Sequence, residues 1–243
     1  MSGLEAGSAV TAVHCAHTVH GGPVVDLPTR FGVFRAQAWT DEITGIEHLA
    51  VSSAVPSSEG AAPLVRLHSE CLTGDVFGSY RCDCGEQLDY ALEMISRFGG
   101  TLLYLRGQEG RGIGLANKIK AYALQEAGFD TVEANEQLGL PIDARCYKAA
   151  AQILMEMGLR KVRLLSNNPD KQDRLSQAGL LVVGMVATEV PSRDQNIEYL
   201  KTKRDRLDHK LNLGGDPASQ PLLAPSAAAS GSADWASVTT GNG

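Results

Sequence analysis

Apolar and polar residues alternate in the first part of the chain. This alternation over Phe31–Thr40 and over Ile46–Val55 predicts two strands on either side of a Thr-Gly turn. A third apolar run, Leu64–His68, predicts another strand. We therefore expect the beginning of the folded region to be rich in β-structure.

Helical spacing begins after these strands. Leu88, Ala91, Leu92 and Ile95 lie on one face of a predicted helix, which Gly99-Gly100 ends. The remaining predicted elements, in chain order, are a strand at Leu102–Leu105, a helix around Leu115–Ala123, a helix at Tyr147–Met157, a strand at Val162–Leu165, a short helix near Asp170–Gln177, a strand at Leu180–Val186 and a terminal helix at Tyr199–Leu211. This alternation predicts an α/β (mixed α+β) body with an antiparallel β entry.

The two ends differ in composition from this body. Residues 1–25 show no clear apolar periodicity, and from Gly214 onward the chain is rich in Gly, Pro, Ala, Ser and Thr. Such sequences bury too little apolar surface to offset the entropy lost on ordering. We expect a flexible segment at 1–25, one folded domain at 26–211 and a disordered tail at 212–243.

Composition narrows the class of protein. Of the 243 residues, 43% are apolar and 21% are charged, which is typical of a globular protein with a sizeable core. No apolar run reaches the roughly 18 residues of a membrane span, and the chain starts without a secretory signal pattern. We therefore expect a cytoplasmic protein that binds no membrane. A formal charge of −6 argues against nucleic acid as a partner, so an anionic substrate would need a local cluster of cations.

Three cysteines carry the strongest chemical signal. Cys71, Cys82 and Cys84 lie among charged residues, which makes them poor core material. Three thiolates are one short of a tetrahedral zinc shell, and a catalytic zinc needs an open position to bind water. His68 leaves a closed Cys₃His structural site as an alternative, and ordinary buried thiols are another. A disulfide is the weakest interpretation, because nothing else indicates an oxidising compartment.

A glycine-rich loop, Gly107–Gly114, joins a predicted strand to a predicted helix. Glycines let the backbone approach a ligand closely, and a helix N-terminus offers free N–H groups to an anion. Arg111 could grip a phosphate or a carboxylate with two hydrogen bonds. The loop lacks the signatures of the common nucleotide-binding loops, so a plain turn is the alternative.

Two further polar clusters follow this loop. Asp143 and Arg145 precede a predicted helix, where Asp143 could simply be the N-cap. Arg145 would then oppose the helix dipole in the first turn, and such a local misfit points to function. The segment Ser166–Lys171 follows a predicted strand, where α/β sheets gather ligand groups, although a surface turn is also possible.

Taken together, five motifs resemble the GTP cyclohydrolase II family and occur in the family's order over about residues 26–211. They are Arg66-Leu-His-Ser-Glu-Cys-Leu-Thr-Gly-Asp75, Arg81-Cys-Asp-Cys-Gly-Glu-Gln-Leu88, Gln108-Glu-Gly-Arg-Gly-Ile-Gly-Leu115, Lys118-Ile-Lys-Ala-Tyr-Ala-Leu-Gln125 and Ser166-Asn-Asn-Pro-Asp-Lys171. One departure is Ser166, where the family usually has threonine. Both residues carry a hydroxyl, so we expect little change.

The resemblance implies a role for each matching residue. The residues that it implies as ligands of a catalytic zinc, with water in the fourth position, are Cys71, Cys82 and Cys84. The residues that it implies as GTP contacts are Arg66, Leu67, His68, Ser69, Glu70, Gln87, Glu109, Gly110, Arg111, Thr131, Ser166 and Lys171. Asp143 would be the proton acceptor, Arg145 the nucleophile toward the α-phosphorus, and Tyr122 the active-site tyrosine. Because guanidinium stays protonated in proteins, our own hypothesis is that Arg145 clamps the α-phosphate electrostatically.

The implied reaction is the zinc-dependent hydrolysis of GTP, with Mg²⁺ on the phosphates. It releases formate and pyrophosphate and gives 2,5-diamino-6-(5-phosphoribosylamino)pyrimidin-4(3H)-one, in the first step of riboflavin biosynthesis. The resemblance also suggests a homodimer. About 65 residues precede the first motif, too few for the synthase domain that precedes it in fused relatives, so we expect a single activity.

Two alternatives to this reaction stay open. One is a relative that opens GTP but retains the formyl group, in a specialised pathway. The other is a non-catalytic, zinc-stabilised nucleotide-binding module, which would use His68 as a fourth metal ligand.

Overall fold

The structure is a computed structural model that describes residues 18–57, 60–188, 190–193, 195–207 and 209–211. The predicted tail at 212–243 lies outside the described residues, and so do residues 1–17 of the predicted N-terminal segment. Both of these predictions stay predictions.

One mixed sheet of seven strands runs through the described part of the chain. Its strands are β1 (Val19–Thr29), β2 (Gly32–Asp41), β3 (Glu47–Ser53), β4 (Leu64–Ser69), β5 (Thr101–Leu105), β6 (Lys161–Leu165) and β7 (Leu181–Val186). The spatial order is β1-β2-β3-β5-β4-β6-β7. The pairs β1–β2, β2–β3 and β3–β5 are antiparallel, whereas the pairs β5–β4, β4–β6 and β6–β7 are parallel. The predicted α/β class with an antiparallel entry is confirmed.

Helices cover both faces of the sheet. The helices of the described residues are α1 (Leu72–Asp75), α2 (Cys84–Phe98), α3 (Glu109–Gly112), α4 (Leu115–Glu126), α5 (Thr131–Gln137), α6 (Lys148–Glu156), α7 (Pro169–Gln177) and α8 (Ile197–Leu207). Leu64 packs in one apolar cluster with Ile95 of α2, and Val65 packs in a second cluster with Ile153 of α6. Since successive strand residues point to opposite faces, α2 and α6 lie on opposite sides of β4.

Burial on both faces explains the composition of β4. All of its residues from Leu64 to His68 are buried, as expected of a central parallel strand. Two of these buried residues, Arg66 and His68, are polar or charged. They lie toward the carboxyl end of the strand, which is the end that carries the predicted motifs.

Two boundaries and one helix differ from the sequence prediction. β1 begins at Val19 and pairs with β2, so the end of the predicted flexible segment 1–25 belongs to the sheet. α8 ends at Leu207 rather than at Leu211, and the amide of Lys210 instead donates to the backbone carbonyl of Asn167 at 3.0 Å. α5 was not predicted at all.

The sequence did contain the signal for α5. Asp130 accepts hydrogen bonds from the amides of Val132 and Glu133, and the Glu133 side chain accepts one from the Asp130 amide. This capping box, an acidic residue followed three positions later by Glu, is a known signature of a helix start.

None of the described helices is long and apolar enough to cross a membrane.

A substitution at Gly100 tests how closely β4 and β5 approach each other. Its φ is +123°, and an added Cβ would lie 2.2 Å from the Leu64 carbonyl oxygen. We expect Gly100→Ala to lower the free energy of unfolding by about 2–5 kcal/mol, because backbone strain adds to overpacking. Urea unfolding measures this change.

Gly158 provides the matched control, since its φ is +81° and no atom lies within 4 Å of an added Cβ. Gly158→Ala should cost only the strain, about 1–2 kcal/mol. Equal costs for the two variants would contradict the close approach.

Candidate active site

A single pocket collects most of the predicted site residues at the carboxyl edge of the parallel strands. Loops that leave β4, β5 and β6 meet there because parallel strands end at the same edge. The predicted residues that line it are Arg66, His68, Ser69, Glu70, Cys71, Cys82, Cys84, Gln87, Glu109, Gly110, Arg111, Tyr122, Thr131, Arg145, Ser166 and Lys171. Leu67 and Asp143 do not line it.

The three thiols form a compact cluster. The Sγ atoms of Cys71, Cys82 and Cys84 all lie within 4.8 Å of one another, and those of Cys71 and Cys82 are 3.7 Å apart. Zinc–sulfur bonds of about 2.3 Å in a tetrahedron put sulfurs about 3.8 Å apart. Gly74 lies against this cluster, where an added Cβ would come within 2.9 Å of the Cys82 sulfur. The residues therefore fit a zinc ion.

Electrostatics also favour a cation among the sulfurs. Hydrogen bonds with Cys82 and Cys84, together with the ammonium of Lys118, hold the pKa of Cys71 far below its usual value. The interaction with Cys71 raises the pKa of Cys82 to about 11, and the pKa of Cys84 is also raised. Three neighbouring thiols cannot all ionise alone, so a bound divalent cation would stabilise the full set of thiolates.

His68 is not part of the thiol cluster. Its Nε2–H donates to the Asp75 carboxylate at 3.0 Å, and its ring stacks on Tyr104 with centroids 5.4 Å apart. Asp75 also accepts a hydrogen bond from the backbone amide of Cys71 at 3.0 Å. His68 therefore helps to hold the loop that presents Cys71, and the alternative of a fourth protein ligand is wrong.

Asp83, between two of the cysteines, connects them to the far end of the chain. Its buried carboxylate accepts hydrogen bonds from Lys203 Nζ at 2.6 Å and from Gln87 Nε2 at 2.5 Å. Gln87 in turn accepts a hydrogen bond of 2.7 Å from Arg66. Burial opposes ionisation of Asp83, but Lys203 and Arg66 hold its pKa below the usual value. Lys203 was missed because 120 residues separate it from Asp83.

The glycine-rich loop supplies Arg111 rather than a helix N-terminus. Gly110 and Arg111 both have left-handed backbone conformations, with φ of 60° and 63°. Both terminal nitrogens of Arg111 are buried without a hydrogen-bond partner in the described residues. A buried guanidinium without partners is costly, so this side chain is poised for an anionic ligand. The first three residues of α4, Leu115–Asn117, do not line the pocket.

A second buried cation lies at the start of α7. Lys171 Nζ donates to the Leu67 carbonyl oxygen at 3.0 Å, which is the contribution of Leu67 to this region, since its side chain lies in the core. Burial, with Arg66 and Arg145 nearby, lowers the pKa of Lys171 well below its usual value. An anion bound beside Lys171 would relieve this repulsion.

Asp143 and Arg145 form a close pair. Arg145 Nε donates to the Asp143 carboxylate at 2.9 Å, and a guanidinium nitrogen makes a second hydrogen bond. α6 starts at Lys148 with Tyr147 as its N-cap, so the interpretation of Asp143 as the N-cap is wrong. Arg145 is also not in the first turn, and the helix-dipole argument for it fails.

Tyr122 lies beside the thiol cluster on α4. The guanidinium of Arg81 stacks on its ring at 4.7 Å, and Lys118 Nζ lies 5.7 Å from the ring centre. Burial raises the pKa of Tyr122, so the phenol keeps its proton near neutral pH. This side chain can therefore donate a proton within the pocket.

Several residues that line the pocket were not predicted as site residues from the sequence. They are Lys118, Asn167, Asn168, Thr188, Tyr199, Lys203 and His209. Burial and the nearby cations, led by Lys203, lower the pKa of His209 to about 3, so it is neutral at pH 7. Of this set, only Lys118, Asn167 and Asn168 lie within the five motifs, so a motif search could have found these three.

Comparisons with known proteins point to a family for this chain. A family model described as GTP cyclohydrolase II matches residues 23–187. Proteins named riboflavin biosynthesis protein RibBA from Mycobacterium marinum and Mycobacterium tuberculosis are 54% identical over 189 residues, which cover 76% of this chain and 44% of each relative. The Mycolicibacterium gilvum protein of the same name is also 54% identical, with 45% of its length covered. The chain thus spans less than half of these relatives.

Among solved structures, a two-domain 3,4-dihydroxy-2-butanone 4-phosphate synthase from A. baumannii matches with 18% identity and a TM-score of 0.37. The match covers 71% of this chain and 41% of that chain. This likeness is too low to support a conclusion.

The buried pair of Lys203 and Asp83 generates a stability prediction. Lys203→Met leaves a buried carboxylate without its cation, and we expect a loss of about 3 kcal/mol in the free energy of unfolding at pH 7. Because the pKa of Asp83 is lowered in the fold, this contribution is full above about pH 4 and disappears as the pH falls further. Urea unfolding at pH 7 and pH 3 measures both effects.

Arg204 is the matched control, since its ion pair with Asp205 lies on the exposed side of the same helix. Arg204→Met should leave the free energy of unfolding nearly unchanged. A similar loss in both variants would show that burial of Asp83 does not matter.

Proposed function

The chain belongs to the GTP cyclohydrolase II family, and we propose that it hydrolyses GTP with release of formate and pyrophosphate. The product would be 2,5-diamino-6-(5-phosphoribosylamino)pyrimidin-4(3H)-one, which makes this a hydrolase acting on cyclic amidine C–N bonds. One observation carries the proposal: a zinc-sized thiol cluster and buried cations without carboxylate partners line the same pocket. The thiol cluster suits a metal that promotes ring opening, and the cations suit a triphosphate.

Cys71, Cys82 and Cys84 would hold one zinc ion per subunit. When bound, zinc supplies Lewis acidity and activates water for attack at C8 of the guanine. The protein would contribute the phenol of Tyr122, whose raised pKa keeps a proton available in the same pocket. General acid catalysis of this kind typically contributes about 10²–10⁴ in rate.

The triphosphate would bind against Arg111 and Lys171. Arg111 offers two unpaired guanidinium nitrogens, and Lys171 offers a buried Nζ that donates to the Leu67 carbonyl oxygen and that a bound phosphate would keep protonated. Positive charge at this place stabilises the negative charge that develops on the leaving pyrophosphate. Among the described residues, the thiols are the one group of three or more candidate metal ligands, so Mg²⁺ would be held largely by the phosphates.

Arg145 would bind the α-phosphate as an electrostatic clamp. Although burial opposes its charge, the Asp143 carboxylate keeps the pKa of Arg145 above its usual value. A protonated guanidinium is a poor nucleophile and a good bidentate partner for phosphate. For the same reason the pKa of Asp143 is lowered, which suits orientation of Arg145 better than proton acceptance.

The two alternative functions differ in their support. The non-catalytic module required His68 as a metal ligand, but His68 instead donates to Asp75. The formyl-retaining reaction would use the same pocket, so it is distinguished by its product. We propose complete formate release because all five motifs and Tyr122 are present.

The setting of the reaction is also part of this proposal. Since the relatives are named for riboflavin biosynthesis, we propose that the chain supplies the first step of that pathway. We also propose a homodimer, which rests on the family resemblance, and a cytoplasmic location, which rests on the composition of the chain.

The direct test incubates zinc-loaded protein with GTP and Mg²⁺ and quantifies formate, pyrophosphate and the pyrimidine. We expect all three in equal amounts, and Cys82→Ser should abolish formate release because the metal loses a ligand. The exposed Cys146 offers a control thiol, and Cys146→Ser should keep the activity. A pyrimidine that retains the formyl group would establish the alternative reaction, and a fully active Cys82→Ser would refute the zinc assignment.

The role of Asp143 gives a second prediction. Asp143→Asn keeps the shape but removes the charge that orients Arg145, so turnover should fall about 100-fold. Binding of GTP, measured by isothermal titration, should change by only a few-fold because Arg111 and Lys171 are untouched. Unchanged turnover would make Asp143 dispensable.

Mass spectrometry of the protein quenched during turnover completes that experiment. An electrostatic clamp forms no bond, so we expect Arg145 to stay unmodified. A guanylyl adduct on Arg145 would establish it as the nucleophile.

A further inference from the structure

We propose that Lys118 is a positioning residue for the metal centre, where its hydrogen bond to Cys71 weakens that sulfur as an electron donor. The proposal rests on the zinc site proposed above and adds a residue to it. Its expected consequence is a more acidic metal than three unmodified thiolates would give.

The contacts of Lys118 are unusually complete. Its Nζ donates to Cys71 Sγ at 3.1 Å, to Thr73 Oγ1 at 2.8 Å and to Glu109 Oε1 at 2.6 Å. An ammonium has three N–H donors, so all of them are used. Lys118 is only 8% exposed, so its side chain has little room to adopt another conformation.

Glu109 holds the ammonium in place from the other side. Its Oε2 accepts the backbone amide of Leu72 at 2.7 Å, directly after Cys71 in the chain. The carboxylate is therefore fixed by the same loop that presents the first thiol. Lys118 is positioned by two oxygens so that its third hydrogen can point only at sulfur.

The cluster needs such a donor for an electrostatic reason. Three thiolates around a divalent cation carry a net negative charge, and strong sulfur donation makes the metal a weaker Lewis acid than neutral ligands would. A charged N–H donor withdraws electron density from the sulfur that it contacts. Groups that hydrogen-bond to metal ligands commonly change the properties of the metal in this way.

The effect falls on one sulfur of the three. Among the described residues, Cys82 and Cys84 receive no hydrogen bond from a charged side chain, whereas Cys71 does. Cys71 and Cys82 are equally buried, at 5% and 4% exposed. This asymmetry allows the two sulfurs to be compared within one protein.

The first test is spectroscopic and needs no substrate. In the Co²⁺-loaded protein, Lys118→Met should shift the thiolate-to-metal charge-transfer band to longer wavelength, because the Cys71 sulfur loses its donor. Lys120→Met, an exposed position on the same helix, should leave the band in place. An identical band in Lys118→Met and the wild type would overturn the proposal.

The second test uses the wild type, so it does not depend on whether the variant folds. Zinc-loaded protein is treated with iodoacetamide, and alkylation of each cysteine is followed by mass spectrometry. Since a charged hydrogen bond protects Cys71, it should react at least about tenfold more slowly than Cys82. Lys118→Met should abolish most of this difference. Equal rates at the two sulfurs in the wild type would refute the proposal.

Failure here is distinguishable from failure of the proposed function. Both tests report on sulfur and metal without GTP, whereas the reaction is judged by formate release. A shifted band in a protein that releases no formate would support the role of Lys118 and reject the reaction. Formate release together with equal alkylation rates of Cys71 and Cys82 would support the reaction and reject the role of Lys118.

Discussion

Parallel pairing of β4 with both β5 and β6 is the constraint on which the site depends. It brings the loops after all three strands to one edge, so that Cys71, Glu109 and Ser166 line one pocket although 95 positions separate the first from the last. It also buries Arg66 inside the sheet, where its guanidinium donates to the carbonyl of Leu165 at 3.0 Å. A slip in either pairing would separate the metal ligands from the cations, because each group is attached to a different strand end.

The site concentrates charge that a folded core would normally exclude. Some cations have buried carboxylate partners, as Lys118 has Glu109 and Lys203 has Asp83. Lys171 Nζ instead donates to the backbone carbonyl of Leu67. Burying cations without carboxylate partners generally costs several kcal/mol, so this arrangement supports the proposed polyanionic substrate. The net charge of −6 for the whole chain makes this local excess more informative.

Sequence alone predicted the parts of the molecule that local rules govern. Apolar periodicity predicted β4 and α2, and the cysteine spacing and the motifs predicted that the three thiols lie together. It could not predict contacts such as Lys118 with Cys71, because 47 residues and a change of element separate them. The interpretation of Asp143 as an N-cap was wrong for a related reason. Asp143 has the composition of an N-cap, but its pairing with Arg145 holds the chain outside the helix until Lys148.

The spacing of the second and third thiols acquires a reason from these contacts. One residue separates Cys82 from Cys84, and that residue sends its carboxylate away from the sulfurs to Lys203 and Gln87. The ion pair attaches the metal-binding turn to α8, which lies beyond the residues that the family model matches. Gln87 continues this chain of hydrogen bonds to the guanidinium buried in β4. The thiols and the cations proposed to bind the triphosphate therefore share one rigid support, since a displaced carboxylate at the centre would leave charges on both sides without partners.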